Sequence, residues 1–78
     1  MPRYFIDTDN GDQIVRDTQG FETADFETAR RLADDVLPNM ARDELPNGPE
    51  RTFRAVIRDE AGAEVYAAEL RFKGMRLT

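Results

Sequence analysis

Arg54, Arg58 and Arg71 are the residues whose type and spacing come closest to chemistry in this chain. Arginines at even separations along extended segments fall on one face of a β-ribbon, where guanidinium forks can follow a phosphate backbone or an acidic partner. Arg16 and Lys73 can extend that stripe. The competing reading is cross-strand ion pairing with Asp7 and Glu69 on a solvated sheet. Charge favours the second reading: the net charge is −5, so the bulk field repels nucleic acid, which makes it an unlikely partner. The sign is unevenly spread. Residues 1–50 hold five Arg against twelve acids, whereas residues 51–78 hold five Arg and Lys73 against four.

The carboxylates are weaker candidates. Asp34, Asp35, Asp43 and Glu44 alternate with arginines on the expected outer side of a helix, where nothing desolvates one acid against another as general acid–base work requires. Asp7-Thr8-Asp9-Asn10-Gly11-Asp12 resembles a calcium loop superficially. Counted from Asp7, however, Gly11 falls at the fifth position, Asp12 at the sixth and Thr18 at the twelfth, against the required ligand, Gly and Glu. A solvated turn is the better reading, and no metal site is expected.

Missing residue types exclude more. The chain has no His, Cys, Ser or Trp, so neither Ser-His nor Cys-His nucleophiles can be assembled and no imidazole titrates near neutrality. No catalytic residue and no cofactor site is expected, and the chain reads as a non-enzyme. Without cysteine there are no disulfides or thiolate metal ligands. No apolar run approaches the roughly 20 residues of a membrane span, and Asp7 interrupts the N-terminus too early for a secretory signal. A cytoplasmic location is the expectation.

The elements that must position these residues can be read from periodicity. Arg3-Tyr4-Phe5-Ile6-Asp7-Thr8 and Gln13-Ile14-Val15-Arg16-Asp17 read as strands flanking Asn10-Gly11. A two-residue type I′ turn there pairs Ile6 with Val15 and Phe5 with Arg16. Phe21-Glu22-Thr23-Ala24 leads to Asp25, an N-cap for a helix over about 25–45 in which Phe26, Ala29, Ala33, Val36, Leu37 and Met40 recur at helical spacing. Glu27–Arg31, Arg30–Asp34 and Arg31–Asp35 are its expected i,i+4 pairs. Pro38 kinks or restarts it, and Leu45-Pro46-Asn47-Gly48-Pro49 ends it. A second hairpin runs through 51–58 and 64–72 around Glu60-Ala61-Gly62. With Ala61-Gly62 as a two-residue loop, Phe53 faces Leu70, Arg54 faces Glu69 and Ile57 faces Tyr66, apolar opposite apolar and charge opposite charge.

The fold class is therefore α+β over residues 1–78, one domain: a two-layer ββαββ arrangement with a four-stranded antiparallel sheet and one kinked helix on one face. Tyr4, Ile6, Val15, Phe53, Ile57, Leu70 and Phe72 take the helix side. Phe5, Ile14, Val56 and Val65 take the other, among Arg54, Arg58 and Arg71. An apolar patch ringed by arginine has the composition of a protein-binding surface, and an unprotected sheet edge can pair with a second strand. Val56→Glu is expected to weaken such binding while leaving the fold intact.

Met1-Pro2-Arg3-Tyr4-Phe5-Ile6-Asp7, Ala41-Arg42-Asp43-Glu44-Leu45 and Val56-Ile57-Arg58-Asp59-Glu60-Ala61-Gly62 together resemble a family of short bacterial proteins of unknown function, common in rhizobia-like soil and plant-associated bacteria. The resemblance spans nearly the whole chain and implies a stand-alone domain; it brings no activity or site residue. The function expected is protein interaction or self-association, as a homodimer or with another protein, through the helix-free face or an edge strand. The alternative is a small nucleic-acid or acidic-ligand binder using the arginine face.

Overall fold

The computed structural model describes residues 1–44 and 49–78. Within it the chain runs β1 (Arg3–Asp9), β2 (Ile14–Val15), β3 (Phe21–Glu22), α1 (Phe26–Glu44), β4 (Glu50–Arg58) and β5 (Glu64–Lys73). The helix end expected at Leu45 and the stop at Leu45-Pro46-Asn47-Gly48 lie outside the described residues. All strands are antiparallel, in the order β2-β1-β4-β5, with β3 pairing the other half of the same β1 edge as a fifth strand. The expected α+β class holds, but the sheet has five strands rather than four.

The first hairpin is wider than the Asn-Gly signal implies. Thr8 faces Val15 and Asp9 faces Ile14, two residues away from the expected register. A type I′ turn needs positive φ at both central residues, yet among the described residues only glycines adopt it, Gly11 at φ 96° included. Asn10 instead accepts the amides of Asp12 (2.9 Å) and Gln13 (2.8 Å) on Oδ1, opening a four-residue loop. Because the shift is two residues, every side chain keeps its expected face.

The second hairpin keeps the expected register at Phe53–Leu70, Arg54–Glu69 and Ile57–Tyr66. Its turn is a three-residue loop with Gly62 at φ 87°, closed by bonds from Gly62 N to Asp59 O (3.0 Å) and from Asp59 N to Ala63 O (2.9 Å). That loop alone would displace the strands by one residue. A bulge around Val65 restores the alignment, since Arg58 faces Glu64 while Ile57 faces Tyr66.

Helix α1 begins at the expected cap: Asp25 Oδ1 accepts the Thr28 amide at 2.8 Å. Pro38 lies within one continuous helix. Its ring is on the exposed side, where water can satisfy the Asp34 carbonyl that proline leaves unbonded. Arg30 makes the helix ion pairs, with Asp34 (2.8 Å) and, at i,i+3, with Glu27 (2.8 Å). Buried Ala29, Ala33, Leu37 and Ala41, four residues apart, form the stripe that meets Phe53, Ala55 and Ile57 of β4. Three of the four helix residues are alanines, so the bulk of this contact comes from the sheet, where Phe53 and Ile57 are the largest fully buried side chains. At the helix N-terminal end Phe26 stands edge-on between Tyr4 and Tyr66, ring centroids 6.0 Å from each. The Tyr66 hydroxyl donates to Asp34 Oδ1 at 2.7 Å, and that bond, with burial, raises its pKa.

Ile57→Ala should cost about 2–5 kcal/mol because it empties the centre of this core. Leu32→Ala, on the exposed side of α1, should stay within about 0.5 kcal/mol of the parent. Urea unfolding measures both; equal losses would contradict this placement of the core.

Candidate interaction surface

The helix-free face is built by the alternate residues of β1, β4 and β5 that point away from α1: Phe5, Asp7 and Asp9, then Arg54, Val56 and Arg58, then Ala67, Glu69 and Arg71. The seven residues expected to form one interaction surface are divided by this geometry. Val56 is only 6% exposed and Arg58 only 9%, so neither offers free area. Val56→Glu would bury a charge in the sheet and is not the fold-neutral change the sequence suggested. Phe5 is half-buried beneath the Arg58 guanidinium, 5.0 Å from its ring centroid. Ile14, Val65, Arg54 and Arg71 are exposed.

Arg58 is held on three sides. Its Nε donates to Asp7 Oδ2 at 2.7 Å, and Nη2 donates to Asp7 Oδ1 (3.1 Å) and to the Asp17 carbonyl (2.8 Å). Asp7 Oδ1 also accepts the Asp17 amide at 2.9 Å. The Asp17 carboxylate in turn accepts amides from Ile6 (3.1 Å), Gln19 (3.1 Å) and Gly20 (2.9 Å). Ile6 sits where β1 has neither β2 nor β3 beside it, so Asp17 takes the one outward amide that the two short strands leave open. The Arg58 hydrogen bond lowers the Asp7 pKa; burial opposes it, and the Asp17 amide adds to the lowering. At Asp17 burial pulls upward, but the amides of Gly20, Ile6 and Gln19 together outweigh it and the pKa ends lowered. Nothing in the sequence marked Asp17, and only its spatial neighbours reveal its role.

A hollow of ≈190 Å³ lies beside this cluster, lined by Asp7, Asp9, Ile14, Arg16, Arg54, Val56 and Glu64 among others. It is smaller than the roughly 300–1,000 Å³ of small-molecule sites. A larger depression of ≈440 Å³ is lined by Glu50 and Thr52 of β4 and by Arg71, Phe72 and Lys73 of β5. Among the described residues no group of three or more acids could hold a metal ion. Asp9, from the calcium-like stretch, caps the Gly11 amide at 2.8 Å.

Arg51 escaped notice in the sequence. Buried on the helix side, it donates from Nε to the Asn10 carbonyl at 3.1 Å and from Nη1 to the Glu44 carbonyl at 3.5 Å, tying the first loop to the helix C-terminus.

The two edges of the sheet are treated differently. On the β1 side β2, β3 and Asp17 occupy the edge. On the other side β5 presents ten residues that, among the described residues, have no strand beside them. Leu70 and Phe72 on this strand remain 38% and 37% exposed although they point to the helix side. The Gly74 amide donates to Pro49 O at 2.7 Å, a pair that continues the β4–β5 register. In an antiparallel ladder bonded pairs alternate, so the even-numbered residues of β5 bond inward to β4, and Ala67, Glu69, Arg71 and Lys73 direct their amides and carbonyls outward. Across the free face Glu69 lies 3.9 Å from Arg54 and 3.7 Å from Arg71.

A small α+β domain whose sheet has one edge occupied by short strands and the other edge open among the described residues is the class this geometry defines. The chain belongs to the domain of unknown function family DUF6894, whose model matches residues 3–71. No curated protein and no solved structure matches it. Among the described residues, no helix is long and apolar enough to cross a membrane.

Two outcomes test the Asp7–Arg58–Asp17 cluster. Both carboxyls have lowered folded pKa values, so the stability they contribute is present above their ordinary value of 3.8 and is lost as pH falls through the folded values. Asp17→Asn should therefore lower the thermal midpoint most at pH 7, with the gap from the parent narrowing towards pH 2; a gap independent of pH would contradict this. Gly20→Ala should destabilise by more than about 1 kcal/mol. At φ 69° its Cβ would lie 2.7 Å from the Tyr4 carbonyl oxygen and 2.8 Å from the Phe5 ring, and an unchanged denaturation midpoint would place the loop elsewhere.

Proposed function

We propose that this chain is a non-catalytic interaction module that works by strand addition at the open edge of β5. The observation that carries the reading is the contrast between edges: one is occupied by two short strands and a carboxylate, while the other exposes outward backbone groups and two large apolar side chains. Sheets that are not meant to associate blunt their edges with short strands, bulges, proline or inward charges. The regular part of β5 after Val65 has no proline, and its charges lie on the free face. Main-chain pairing supplies affinity in such a mode, and alternate side chains supply specificity. The helix-free face serves this reading less well, since Val56 and Arg58 are withdrawn into the fold. The phosphate-binding alternative loses Arg58 to Asp7 and finds Glu69 between Arg54 and Arg71.

Arg71→Pro tests the reading. The Arg71 amide points outward, so proline removes an edge donor without breaking the ladder to β4. The variant should keep the parent's circular dichroism and lose the parent's associations, followed by light scattering and by co-purification of cross-linked partners. Associations unchanged by Arg71→Pro would overturn it.

A further inference from the structure

We infer that the occupant of the β5 edge is a second copy of the same strand, paired antiparallel about a two-fold axis at Leu70. The inference rests on the edge reading above and names its partner. Three constraints select this register. Outward bonding groups belong to the odd-numbered residues, so a copy must set odd against odd; this also keeps both helices on one side of a continuous sheet. The regular part of the strand begins after the bulge at Val65 and ends at Lys73, so a long pairing must centre near residues 69–71. Charge then decides among the three remaining choices. Centring on Glu69 sets that carboxylate against its own copy, and centring on Arg71 does the same for two guanidinium groups; like charges directly opposite destabilise a sheet.

Centring on Leu70 removes both conflicts. Glu69 then faces Arg71 of the copy, and the two-fold repeats the pair. On the helix side Leu70 meets Leu70 and Ala68 meets Phe72, covering the two apolar side chains that the single chain leaves exposed. Ala67 faces Lys73, and the backbone groups of 67, 69, 71 and 73 all find partners. The charge pattern continues across the molecule. Within one chain Asp9 faces Arg54 and Arg54 faces Glu69. The copy adds Arg71, so a row of four strands alternates acid, base, acid, base.

Cysteine scanning tests the register directly, because the chain has no cysteine of its own. Leu70 bonds inward, so its pair across the axis is non-hydrogen-bonded, with Cα atoms about 4.5 Å apart, within disulfide reach. Residues 69 and 71 would each stand about 8–9 Å from their own copies, beyond it. Under mild oxidation Leu70→Cys should become a covalent dimer about tenfold faster than Glu69→Cys, Arg71→Cys or the exposed collisional control Ile14→Cys, in keeping with that geometry. Cross-linking led by position 69 or 71, or no faster at 70 than at 14, would overturn the register. A charge exchange gives an independent reading. Glu69→Arg and Arg71→Glu should each abolish self-association in light scattering, and an equimolar mixture of the two should restore it; a mixture that stays monomeric would overturn the pairing. A parent chain that remains monomeric, yet loses other partners on Arg71→Pro, would remove self-pairing and leave the edge reading standing.

Discussion

The bidentate contact between Arg58 and Asp7, extended to Asp17, is the interaction on which the rest of the arrangement depends. It joins the last residue of β4 to the middle of β1 and, through the Asp17 carbonyl, to a loop that follows β2. Each group in it is answered by another: the guanidinium by a carboxylate and a carbonyl, the second carboxylate by three amides. A partly buried charge is tolerated only when its partners are this complete. With the cluster formed, the loop between β2 and β3 lies against β1 and the gap between the two short strands is closed. Gly20 is required at its rim because a side chain there would strike Tyr4 and Phe5.

From that closure follows the asymmetry of the molecule. One edge is finished by elements too short to propagate a sheet, whereas β5 continues for ten residues and keeps half-exposed leucine and phenylalanine. A helix packed chiefly through alanines on β4 cannot also cover the outer strand. The apolar area left there and the outward backbone groups are two aspects of one narrow, incompletely covered sheet. A chain of 78 residues buries only roughly 60–65% of its unfolded surface, so area gained by association is a substantial addition.

Much of this was legible in the sequence, and the failures have physical causes. The β4–β5 register could be read because Arg54–Glu69 and Ile57–Tyr66 match in type, and the bulge at Val65 compensated for a loop one residue longer than assumed. The β1–β2 register could not, because the Asn10 side chain competes for the amides that a tighter turn would have used. Strand β3 is two residues long and carries no periodicity to detect. Arg58 looked like one of a row of solvated arginines, since its partners lie 51 and 41 positions away and pattern alone does not report distance in space. Asp17 and Arg51 were invisible for the same reason. Outside the bulge at Val65 the alternation of faces was read correctly, because the two-residue slip between β1 and β2 leaves it intact.

The measurement that bears most directly on this account is residue-resolved amide hydrogen exchange in dilute solution. The Ile6 amide, bonded to the Asp17 carboxylate, should be protected to about the same degree as inward-bonded amides of β4 and β5, while the amides of Ala67, Glu69, Arg71 and Lys73 should exchange fast. A freely exchanging Ile6 amide, or outward β5 amides protected in a dilute monomer, would contradict the claim that this fold closes one edge and leaves the other open.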